Sequence, residues 1–154
     1  MKREEIQQSL IDIAGIHAER LKLASARIKH LLPFSPDNVA HMTPEHLADT
    51  DFFSNRFCKL QDLIGTKILP ILLEKHQVNI DRKTPIDILN LAEKYEFIDS
   101  RIEWNKLRDI RNHLTHEYPH NPALTAEYLN QAVEASSRLL QIWQNIKKQL
   151  EEHK

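Results

Sequence analysis

Between residues 129 and 150 one helical line carries Leu129, Ala132, Ser136, Leu139, Trp143, Ile146 and Leu150, at spacings that alternate between three and four. Only a long α-helix puts such a set on one face, and a seam of this kind has to be covered by other helices. The reading adopted is packing inside a single bundle. Only two glycines occur in 154 residues. Few positions can therefore ask for unusual backbone angles, which disfavours a turn-rich β fold.

The other segments carry the same helical period. Ile6, Leu10, Ile13, Leu21, Ala24, Ile28 and Leu31 predict a first helix from about residue 3 to Leu32, ended by Pro33 and Pro36. Residues 33–50 hold three prolines and read as a long polar connection, with a short helical turn after Thr43–Pro44. Phe53, Phe57, Leu60, Ile64 and Ile68 mark the buried stripe of a second helix over roughly 51–76, kinked by Pro70. A third opens with Thr84 as cap, Pro85 at the first helical position and Asp87 at the third. Ser100 and Glu103 form a capping box for a fourth, which runs to Pro119. Asn121–Pro122 starts a fifth that reaches about Glu152. The expectation is one all-α domain over 1–154, an up-and-down bundle of four to five helices.

Charge and cysteine content narrow the function. The formal net charge is −1, so any nucleic acid is met by a local patch and not by a global field. Cys58 is the only cysteine, which rules out an internal disulfide and fits a reducing cytoplasm. The first ten residues lack the apolar stretch of a leader, and no apolar run reaches membrane length. A cytoplasmic protein with no membrane partner is expected.

The densest chemistry lies in "RDIRNHLTHEYPHNP", residues 108–122. Three arrangements compete. His113, His116 and His120 are spaced three and four apart and would share a helix face, but Pro119 ends the helix before His120, and no acidic or cysteine ligand completes a metal set. No metal is expected. Nucleophilic catalysis lacks a candidate, because no serine is flanked by glycine and Cys58 lies in an apolar helical pattern. Acid–base work on a phosphodiester remains: Arg111 offers a planar fork for phosphate and His116 a proton carrier near neutral pH. RNA brings its own nucleophile, the 2′-hydroxyl, so no cofactor is required.

An Arg followed five residues later by His is common by chance, and Arg108–His113 is a second instance. The fuller pattern Arg111-Asn112-x-x-x-His116-x-Tyr118 is far rarer. "RNHLTHEY" resembles the Arg-x4-His-x-Tyr motif of HepT, the toxin of the HEPN/MNT toxin–antitoxin systems, and "FFSNRFCKLQDLIG" resembles the family less specifically. The resemblance implies a small all-α homodimer with two motifs lining a cleft between subunits. It implies a metal-independent ribonuclease with Arg111 and His116 as catalytic residues and Asn112 as the polar residue beside them. Tyr118 would be the tyrosine that a cognate minimal nucleotidyltransferase antitoxin modifies with AMP. The substrate would be RNA and not DNA. The alternative within the same resemblance is a non-catalytic HEPN protein that binds nucleotide or serves as partner subunit of the nucleotidyltransferase.

A helical wheel sharpens these expectations. With Arg111 at 0°, the apolar stripe of Trp104, Leu107, Ile110 and Leu114 centres near about 300°, and His116 falls near about 140°. His116 should face solvent or another subunit, and Arg111 should not share its face. A two-fold dimer would let one chain's Arg serve the other chain's His. Arg56, Arg108 and His113 are possible supporting groups. Lys106, Arg108 and Arg111 make a modest basic patch, and Trp104 reads as core.

Overall fold

The computed structural model describes residues 2–116 and 118–152. They form an all-helical bundle: α1 (Arg3–Ile28), α2 (Pro36–Ala40), α3 (Pro44–Leu63), α4 (Leu69–Lys75), α5 (Pro85–Lys94), α6 (Arg101–Thr115) and α7 (Pro122–Glu152). A 3₁₀ turn, Lys29–Leu31, extends α1, and a π turn, Ile64–Ile68, joins α3 to α4. Pro70 follows that π turn, and the rod continues beyond it to Lys75. No helix among the described residues is long and apolar enough to cross a membrane.

The predicted connection over 33–50 is mostly helix. Ser35 caps α2, and Asn38 returns the bond to the Ser35 backbone. Thr43 accepts from the His46 amide and Pro44 takes the first helical position, so α3 begins at Pro44 and not at residue 51. These prolines act as helix starts, where a missing N–H costs nothing. The Asn130 side chain brackets the backbone of Phe34, accepting from its N–H at 2.8 Å and donating to its carbonyl at 2.9 Å. That bracket fastens the segment to α7.

Two C-termini solve the glycine shortage unexpectedly. Gln77 and Glu96 take φ of 62°. After α5, Glu96 N–H donates to the Glu93 carbonyl at 3.0 Å and Phe97 N–H to the Ala92 carbonyl at 2.8 Å. This is the left-handed helix stop usually made by glycine. Phe97 is buried beneath it, and its burial helps offset the cost of a left-handed glutamate.

The α7 seam lies in the core as its spacing requires, Leu129 through Leu150. Phe53, Phe57 and Trp104 are fully buried beside it, as is the seam's own Trp143, each contributing roughly 1.5–3 kcal/mol of burial. α3 lies centrally, with α1 along one flank and α6 along the other. Two contacts, Arg56 with His17 and Arg27 with Asp49, set α1 and α3 antiparallel.

Candidate active site at the end of α6

α6 is held from its first turn. Ser100 accepts from the amides of Ile102 and Glu103. The Glu103 side chain does not complete the expected box; it turns to α7 and accepts from Arg138 Nε at 2.9 Å. Arg138 also pairs with Asp99, and these bonds raise its guanidinium above its ordinary value. Trp104 and Leu107 bury the next turns.

Arg111 follows on this anchored rod. Its side chain is 32% exposed. Nη1 donates to Asn112 Oδ1 at 3.1 Å, Nη2 lies 3.9 Å from Asp62 on α3, and Nε is buried without a hydrogen-bond partner. Its carbonyl accepts the Cys58 S–H at 3.6 Å. Burial pushes that thiol up to about 11 against the pull of Arg111, so it is a poor nucleophile. Asn112 thus orients the guanidinium.

The helix ends at Thr115, four residues before Pro119, and not at the proline as expected. Thr115 turns its hydroxyl back to the Asn112 carbonyl at 2.8 Å. His116 then leaves the helix in extended backbone, φ −83° and ψ 133°, with its side chain exposed. It is exposed because the chain has left the helix there, so the wheel angle expected for it does not apply. Among the described residues no hydrogen bond joins it to Arg111; the ring it approaches is Tyr118, at 6.3 Å between centroids.

His113 is the residue that meets Tyr118. Its Nδ1 lies 3.1 Å from the Tyr118 hydroxyl, and its ring stacks on Tyr128 of α7 at 3.9 Å and 8°. Tyr118 and Tyr128 complete the trio at 5.9 Å. Desolvation, with Tyr118 and Glu127, pushes the Tyr128 phenol up. Tyr128 is absent from the sequence-derived site. Its one signal, a tyrosine in the second turn of a helix that doubles back over the motif, depends on knowing where α7 lies. An apolar groove of about 470 Å³, floored by Leu107, Ile110 and Ala135, opens beside the stack.

Arg108 is exposed on the outer side of α6. Arg56 does not join this cluster. It lies on the opposite flank of α3, donating to His17 of α1 at 2.9 Å. No group of three His, Cys, Asp or Glu converges among the described residues. No family model matches the chain, nor does any curated protein or solved structure.

Proposed function

We propose that this chain is a metal-independent endoribonuclease toxin of the HEPN type, active as a homodimer in the cytoplasm. The observation that carries the reading is the pattern Arg111-Asn112-x-x-x-His116-x-Tyr118 at the end of α6, with the Arg oriented by Asn112 and the His exposed. Arg111 binds the scissile phosphate and stabilises the charge that develops on it. His116 takes the proton of the 2′-hydroxyl as that oxygen attacks phosphorus. The bond to the 5′-oxygen breaks, that oxygen is protonated, and a 2′,3′-cyclic phosphate remains. Because Arg111 is tied to Asn112 and Asp62 while His116 lies beyond the helix end, with no hydrogen bond between them among the described residues, a working site takes the Arg of one copy and the His of its partner.

Tyr118 is the switch in this reading. Its oxygen attacks the α-phosphorus of ATP on the nucleotidyltransferase antitoxin and pyrophosphate leaves. His113 is the group within hydrogen-bond reach of that hydroxyl. The added AMP brings negative charge next to the motif and repels RNA.

The test is RNA cleavage in excess EDTA by wild type, Arg111→Ala and His116→Ala, with product ends identified. Cleavage by wild type alone, leaving cyclic phosphate, supports the assignment. No cleavage by folded dimer unmodified at Tyr118 favours the non-catalytic partner subunit. Equal cleavage by all three removes the site.

A further inference from the structure

The antiparallel packing of α1 on α3 gathers cations that the α6 site does not use. His17, Arg20 and Arg27 follow one side of α1, and Phe52, Arg56 and Lys59 follow one side of α3. Arg56 Nη1 donates to His17 Nδ1 at 2.9 Å. A guanidinium has only donors, so this nitrogen carries the lone pair and the neutral ring holds its proton on Nε2. Arg27 and Arg56 converge on the Phe52 ring, at 5.8 and 5.7 Å from its centroid. Burial, then Arg56, Lys59 and Arg20, push His17 below its ordinary value.

The acids nearby answer part of this: Asp12, Glu19 and Glu151 line a groove with Arg20 between α1 and α7. Asp49 meets Arg27 at 3.8 Å, and Glu19 is engaged by Lys22 at 3.0 Å. No ion pair among the described residues involves Arg20, Arg56 or Lys59, and Arg56 Nε is buried without a partner. In a chain of net charge −1, this local excess of positive charge is a site for an anion.

We propose that the α1/α3 seam is a second anion site, apart from Arg111, which holds the phosphodiester backbone of single-stranded RNA; the inference rests on the ribonuclease reading. From His17 to Arg27 the cations span about 15 Å at 1.5 Å per residue, room for successive phosphates and more than a lone phosphate needs. Arg forks suit phosphate oxygens, and His17 Nε2–H adds a donor. A basic groove with an interleaved aromatic ring is how sequence-tolerant single-strand binding is built.

The test uses the full chain and a fluorescent 2′-O-methyl oligoribonucleotide, which lacks the attacking hydroxyl and stays intact. Arg56→Gln and the exposed pair R20Q/K59Q should each weaken binding about fivefold or more and lower the salt slope by about one for every phosphate left without its cation. The charge-matched control K83Q/K94Q, on and before α5, should stay within about twofold. Unchanged binding in both seam variants, or an equal loss in the control, overturns the proposal. So does polyglutamate displacing the probe as well as unlabelled RNA does, which would reassign the seam to an acidic protein. Cleavage of ordinary RNA separates the two readings. Retained cleavage with seam variants that bind normally sinks the seam alone, and wild type that neither binds nor cuts sinks both.

Discussion

Arg56 and His17 lie 39 residues apart in sequence and share a 2.9 Å hydrogen bond. Arg111 and His116 lie five apart and share none among the described residues. The first pair is closed: donor meets acceptor, Phe52 backs the guanidinium, and the imidazole is kept neutral. The second is open: Arg111 is held by Asn112 and Asp62 while His116 projects from a helix end. Proximity along a helix does not bring side chains together unless their angles agree, whereas two packed helices can align residues from distant turns. A closed pair suits binding. An open pair suits chemistry completed by a second copy.

The largest effects should separate these regions by kinetics. Arg111→Ala and His116→Ala should each lower kcat by about 10²-fold or more, as expected for loss of charge stabilisation or of a general base. Arg56→Gln should act chiefly through KM. Single-turnover and steady-state cleavage of one RNA would show the split, and a kcat loss in Arg56→Gln matching that of Arg111→Ala would erase the comparison.

Two glycines offer a structural version of the same contrast. A Cβ on Gly65 would meet Trp104 Cζ2 at 3.2 Å, so Gly65→Ala presses on α6 beneath the Arg111 site. Overpacking of this kind should cost about 1–3 kcal/mol in urea unfolding. Gly15, on α1 two residues before His17, has its nearest atom at 4.0 Å. Gly15→Ala should gain about 0.5–1 kcal/mol from helix propensity. Equal effects of the two would mean that α6 is not wedged by Trp104.

Much of the bundle is legible in the sequence because its signals are local. The α7 seam, the Thr84–Pro85–Asp87 start of α5 and the buried Trp104 all follow from periodicity or caps within a few residues. Sequence and structure part where one residue type has two uses. Pro36 reads as a stop for the first helix and instead begins α2, and Pro44 reads as opening a short turn and instead begins the twenty-residue α3. Glu103 suits a capping box but prefers a charged partner on α7. The α6 motif residues, and Arg56 on α3, can be named from the sequence, yet their partners cannot: His113 with Tyr128, and Arg56 with His17, are tertiary pairings with no sequence spacing to announce them.

The smallest expected effect is that of pH on the closed pair. His17 has its folded value lowered, so the folded chain binds fewer protons there than the unfolded chain. The stability it contributes is complete above its ordinary value of 6.5 and is lost as pH falls through the lowered folded value. Tm should therefore drop more steeply as pH falls from 6.5 to that lowered value in wild type than in His17→Gln, whose amide oxygen still accepts from Arg56. Parallel Tm–pH curves for the two proteins would show that His17 is not held neutral by the fold.

The most direct test of a site shared between two copies is complementation. Arg111→Ala and His116→Ala, each inactive alone, are mixed under conditions that exchange subunits, and RNA cleavage is measured in EDTA. Random pairing makes half the dimers mixed, each with one intact Arg–His site, so about a quarter of wild-type activity should return. Mixed dimers that form and remain inactive would contradict the account, because the Arg and the His would then have to come from the same chain.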